Sequence, residues 1–260
     1  MLNYIRAEIY KVLHRKYIYI VLAVMLFLET LPVAGFAFHN AHSFPTPFGG
    51  AVILIVELGQ LGFCFVLLTG DMVFAGQYKN STLKNEVSFG LSRTRIYLGK
   101  LIVQTLLSIV YLVVIIGYFL GVCAVILPLE AEAAAFYSVP EALAIVGWFL
   151  GVAFPLWVGA QGVVCACLFL IPNDIGASMA ALGITMVLSV FVQLTGLLVQ
   201  GETGELLLKI YEYMPQPILG AAKSAVGDWS FMGKVWIVGV FWLVVCTAIG
   251  LYGFKRKEIK

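Results

Sequence analysis

Charge is scarce in this chain. Asp, Glu, Lys and Arg make up 12% of 260 residues, while hydrophobic residues make up 62% and mean hydropathy is +1.00. A soluble domain carries roughly 25% charge, so a water-soluble fold could not hide this much apolar surface. Histidine is scarcer still: only His14, His39 and His42 are present. No His-Glu-x-x-His pair exists, and no Gly-x-Ser-x-Gly elbow, so neither of these hydrolase signatures supports an intramembrane enzyme. His39 and His42 are spaced to share a metal but have no third ligand nearby. No Gly-x-x-x-x-Gly-Lys-[Ser/Thr] phosphate loop occurs either, because Gly99-Lys100 lacks the glycine required at position 94. The five cysteines all lie in apolar runs, which is no disulfide framework. Basic residues are dispersed beside apolar stretches rather than clustered, which argues against a nucleic-acid partner.

What the chain does have is long apolar runs. A helix needs about 20 such residues to cross the hydrocarbon, and six stretches qualify: 17–38, 51–70, 97–127, 142–171, 176–199 and 235–254. They are continuous rather than alternating, which favours helices over a barrel. The expected fold is therefore an all-α membrane protein, one domain over residues 1–260 with six transmembrane helices. Pro155 is expected to kink the fourth. The N-terminus lacks a short apolar run followed by a cleavage site and is read as uncleaved.

Orientation follows from Lys and Arg. All but Lys209, Lys223 and Lys234 of the 16 basic residues fall in the N-terminal segment, the linker between spans two and three, or the C-terminus. Both termini are therefore expected in the cytoplasm, with Glu130, Glu132, Glu141, Glu202, Glu205, Glu212 and Asp228 outside. Leu2, Ile5, Ile9, Val12 and Leu13 recur at helical spacing, so residues 2–16 read as an amphipathic interfacial helix. Residues 203–228, broken by Pro215 and Pro217, read as outer helices that dip partly into the membrane. In the inner linker, Ser81 or Thr82 can open a short helix that Gly90 ends, and Ser92 can open the next.

Ionisable groups inside spans are functional candidates by default. Glu29 and Glu57 are the clearest, and no Lys or Arg is expected to lie deep enough to pair with either. They are expected to be protonated, bonded to groups such as Gln60 or Gln104, or facing a wet cavity. With Gln193, Pro215 and Pro217 they form the candidate path or gate, expected along spans one, two and five. Gly117-x-x-x-Gly121 and Gly147-x-x-x-Gly151 permit close helix contact, within the chain or at a dimer seam.

The inner linker carries Ser81-Thr82-Leu83-Lys84, then Gly90-Leu91-Ser92-Arg93 and Gly99-Lys100. This pattern resembles permease subunits of ABC-2 type transporters, among them bacterial bacitracin and lantibiotic self-protection permeases. Ala7-Glu8-Ile9-Tyr10-Lys11 with Arg15-Lys16 is similar to that family's entry helix, and the segment around Met214–Pro217 to its extracellular helices. The resemblance implies a coupling helix over residues 80–89 that docks on an ATPase subunit. It assigns Gln77, Asn80, Thr82, Leu83, Lys84, Glu86, Val87 and Arg93 to that coupling region, beside Glu8, Lys11 and Arg15 of the entry helix. Gln77 departs from the family, where many relatives carry Glu. The resemblance further implies ATP-driven export of an amphiphilic antimicrobial peptide or lipid from a bacterial plasma membrane. ATP and Mg would be bound by a separate chain, and a second permease copy or paralogue would complete the assembly within the membrane lipids. An ion-coupled transporter or channel and a non-transporting sensor or anchor subunit are the alternatives.

Overall fold

The computed structural model describes residues 1–42, 46–75, 77, 82–129 and 137–257. Asn80, Ser81, Glu130, Glu132, Lys79 and Lys260 lie outside them. The described chain is helical throughout. α1 (Leu2–Leu13) leads into α2 (Lys16–His42), followed by α3 (Phe48–Val52), α4 (Leu54–Glu57) and a 3-10 turn (Leu58–Leu61) that opens into α5 (Gly62–Phe74). Next come the short α6 (Thr82–Ser88) and the long α7 (Arg93–Ile126) and α8 (Val139–Leu170). α9 (Asp174–Leu182) and α10 (Leu188–Leu198) are joined by a π turn. α11 (Glu202–Tyr211), α12 (Pro215–Ala221) and α13 (Trp229–Arg256) complete the chain.

Five helices are long and apolar enough to cross a membrane: α2, α7, α8, α9 with α10, and α13. A sixth span results if the pair Phe48–Glu57 and Gly59–Phe74, bent by 43°, is taken as one. The sequence reads this second span as one continuous helix; the structure breaks it. Gly59 and Gly62 sit at the break, where any Cβ would collide with the Phe149 and Trp157 rings of α8. Two glycines here let aromatic side chains seat against the backbone, and the helix yields around them.

Helix ends follow ordinary capping chemistry. Ser138 and Glu141 form a capping box at the start of α8, and Asp228 accepts from the backbone N–H groups of Ser230 and Phe231 at the start of α13. Gly90, at φ +82°, ends α6: its N–H bonds the Val87 carbonyl while Leu91 N–H bonds Glu86. Ser92 occupies the N-cap position of α7 without a side-chain cap bond.

The core is built around α8, the most enclosed of the spans. Its closest partner is α13. A Cβ on Gly159 would lie 2.8 Å from the Gly239 carbonyl oxygen, and one on Gly239 would overlap the Pro155 carbonyl. Small residues thus bring the two backbones together, where dispersion between them replaces contacts with lipid. α8 continues through Pro155 to Leu170 as one helix, and the proline serves as the contact for Gly239. Phe169 closes one end of this core, with Phe254 at 4.5 Å, Tyr97 at 4.8 Å and Phe74 at 5.0 Å between ring centroids. By contrast, a Cβ on Gly117, Gly121 or Gly147 would meet nothing within 4 Å among the described residues. Of the two Gly-x-x-x-Gly motifs, only Gly151 touches another helix of this chain, at Met232.

Gly239→Leu is therefore expected to destabilise the protein by about 3 kcal/mol, as overpacking against an immovable carbonyl does. Gly117→Leu should leave the thermal midpoint of the detergent-solubilised chain unchanged. Equal midpoints for the two variants would contradict the α8–α13 contact.

Candidate functional site

Three regions concentrate the polar side chains. The first lies at the end of the bundle that holds both termini, called the basic end here. Lys100, in the second turn of α7, is 0% exposed at its side chain. Its ammonium lies 2.9 Å from Glu8 Oε2 and 3.9 Å from Glu86 Oε1. Lys11 Nζ reaches the other oxygen of Glu8 at 3.2 Å and Glu86 at 3.6 Å. The Tyr4 hydroxyl donates to Glu86 Oε2 at 2.9 Å, while its ring packs on Gly99. One network thus joins α1, α6 and α7. Burial alone would raise the Glu8 carboxyl's pKa, but Lys100 and Lys11, by charge and by hydrogen bond, outweigh it and hold it below the ordinary value.

Three further cations at this end cap helix C-termini, whose last carbonyls have no partner within the helix. Arg15 donates to the Met72 carbonyl of α5 at 2.6 Å. Arg93 donates to the carbonyls of Phe254, Lys255 and Lys257 at the end of α13, each at 2.7 Å. Lys257 donates to Phe169 and Leu170 at the end of α8. Nothing in the sequence pairs these cations with their carbonyls; the only signal was their position just outside apolar spans.

α6 itself is two-faced. Leu83 is 2% exposed and belongs to the core, with Val87 packed against it. Gln77 is buried, and its carbonyl accepts from the N–H and Oγ1 of Thr82, the first residue of α6. Lys84, Asn85 and Ser88 are exposed, and Phe89 is 87% exposed. The residues assigned to coupling therefore divide. Lys84 lies on the free ridge, whereas Leu83, Val87, Gln77 and Glu86 anchor that ridge from below, and Arg93 is engaged with α13.

The second region is at the opposite end. Glu57, at the close of α4, pairs with Lys223, which corrects the expectation that no cation could reach it. Lys223 follows α12 directly, and that short helix folds back over the bend of the second span. Gln60 Nε2 donates to the Gln216 carbonyl at 3.0 Å. Glu57, Gln60, Pro215 and Pro217 are thus brought together, with Pro215 buried at the start of α12. Gln193 stands apart, half-buried on α10.

The third region is a lateral pocket of about 330 Å3 between α2, the broken second span, α7 and α8. Its walls are almost wholly apolar, and it includes Glu29. At one side Thr69 Oγ1 and Ser108 Oγ are 2.6 Å apart, and Gln161 Nε2 donates to Ser108 Oγ. The fifth span, expected to line a path, contributes none of the pocket's lining residues. Among the described residues no three His, Cys, Asp or Glu side chains gather to hold a metal.

A family model described as ABC-2 family transporter protein matches residues 4–193. That stretch includes the basic-end network and every wall of the pocket, so the chain belongs to the ABC-2 family of transporters, as a multi-pass membrane subunit of the permease type. A comparison with curated proteins finds no match.

Removing Glu8 as Glu8→Ala leaves Lys100 buried without its nearest counter-charge, which is expected to cost about 3–5 kcal/mol. The double variant Glu8→Leu/Lys100→Met should regain most of that loss. Additive losses in the thermal midpoints of the two singles and the double would show that the charges do not interact.

Proposed function

We propose that this chain is the membrane-spanning half of an ATP-driven exporter, and that α6 receives the stroke of a separate ATPase. The observation that carries the reading is the exposed ridge Lys84, Asn85, Ser88 and Phe89 on a helix whose other face is fixed by Leu83 and Glu86. A large exposed aromatic beside a cation, on a rigid support, is the composition of a docking hot spot. A push on this ridge passes through Glu86 to Lys100 in α7 and to Tyr4 and Lys11 in α1.

The family supports the division of labour, since ABC-2 permeases normally work with ATPase partners, and the chain carries no phosphate loop of its own. ATP and Mg belong to that partner. The Lys and Arg bias supports a cytoplasmic basic end, and in this reading the membrane is a bacterial plasma membrane. The Glu57–Lys223 and Gln60–Gln216 contacts then lie on the outer side, where α12 closes over the second span as a gate. A second permease copy or paralogue completes the transporter, and the uncontacted Gly117 and Gly121 are free for it. The cargo is an amphiphilic peptide or lipid taken from the membrane, whose apolar portion enters the lateral pocket.

Phe89→Asp tests the docking ridge without disturbing the core, unlike changes at Leu83. The variant is expected to insert normally while its yield of co-purified Walker-motif ATPase falls at least tenfold. Unchanged recovery of the ATPase would contradict the assignment. So would isolation of a stable ion-coupled transporter with no such partner.

A further inference from the structure

Resting on the export reading, we infer that the lateral pocket selects lipophilic amines: cargo whose apolar body fills the space between α2, α5, α7 and α8 and whose ammonium group meets Glu29. The pocket volume, about 330 Å3, suits one alkyl chain or a small ring system rather than a whole peptide. Glu29 is the one Asp, Glu, Lys or Arg among the residues lining it. One of its carboxylate oxygens is buried without a hydrogen-bond partner among the described residues.

A second acceptor stands in the same pocket. The amide nitrogen of Gln161 is committed to Ser108 and Thr69, which leaves the buried Gln161 Oε1 without a donor. Among the described residues, the one buried lining donor without a partner is the Trp157 indole N–H. A carboxyl and an amide oxygen set in apolar walls offer acceptors and negative charge. They attract a group that brings N–H donors and positive charge, and repel a phosphate or a carboxylate head. An ammonium beside Glu29 brings both the N–H donors and the positive charge that this carboxyl lacks. It needs donors satisfied away from water, and the carboxylate, costly to bury alone in hydrocarbon, gains its counter-charge. The aromatic rings of Phe65, Phe154 and Trp157 line the same space, and their faces favour a cation over a neutral head.

Bromine-tailed dodecylamine, dodecanol and dodecanoate differ only in the head group and quench tryptophan fluorescence on contact. With the purified permease in nanodiscs, the amine should give saturable quenching of the emission component that Trp157→Phe removes. Half-saturation is expected at a concentration at least tenfold below that of the alcohol or the acid. Glu29→Gln should reduce the amine to the level of the alcohol, and Glu29→Asp should keep most of the preference. Equal binding of the three probes by the wild-type chain overturns the proposal, even where a variant fails to insert. So does an unaltered amine preference in Glu29→Gln. These readings need no ATPase: loss of amine selectivity with intact ATPase docking at Phe89 rejects the cargo class and leaves the transporter reading in place.

Discussion

Lys100 is a charged side chain with no exposure to solvent, placed just inside a membrane-spanning helix, and the basic end depends on how it is neutralised. Taking an ammonium out of water costs several kcal/mol unless counter-charges and hydrogen bonds replace the lost hydration. Here they come from two other elements, Glu8 of the entry helix and Glu86 of the short linker helix. An isolated helix as short as α1 or α6 would be marginal. Each is held by core side chains, Val12 in α1 and Leu83 in α6, and by a carboxylate paired with the buried ammonium of α7. The pair is better understood as a fixer of geometry than as a source of net stability, since an apolar substitute of the same shape could be equally stable. What an apolar substitute would not reproduce is the alignment of two helices on one point in α7.

Around that point the same end of the bundle is stiffened by cations on carbonyls. Arg15, Arg93 and Lys257 close the ends of α5, α13 and α8 respectively. Basic residues that contribute to the Lys and Arg bias are therefore also structural caps. This differs from the opposite end, where the Glu57–Lys223 pair is about half exposed on both sides and contributes little on its own. One end is a fixed platform and the other a weakly fastened cover. This asymmetry suits a machine driven from the basic end and opened at the other.

Much of the fold was legible in the sequence because hydrocarbon imposes a simple length rule. The runs at 97–127 and 142–171 correspond to α7 and α8, and their ends shift by a few residues because caps such as Ser92 and the Ser138–Glu141 box lie outside the apolar stretch. The break in the second span was not legible. Residues 51–70 are apolar apart from Glu57 and Gln60, and nothing in the run marks a bend, which falls where the Phe149 and Trp157 rings, far along the chain, occupy the space at Gly59 and Gly62. The site was legible by region rather than by role. Leu83 and Val87 have the apolar character expected of a docking face, yet that character serves the interior, and Phe89 is the aromatic left outside. Lys223 was assigned to an outer connection, and only the return of α12 over the bend brings it to Glu57.

The buried carboxylate–ammonium network ties α6 to α7, and the export reading requires the two helices to move as one body. Pulsed electron-spin distance measurements between labels at the exposed positions Ser88 and Leu106, in a chain whose native cysteines are replaced, test it most directly. A single narrow distance distribution is expected with Glu8 intact, broadening or splitting in Glu8→Gln. A distribution that is already broad with Glu8 present, or that is indifferent to its loss, would contradict the account.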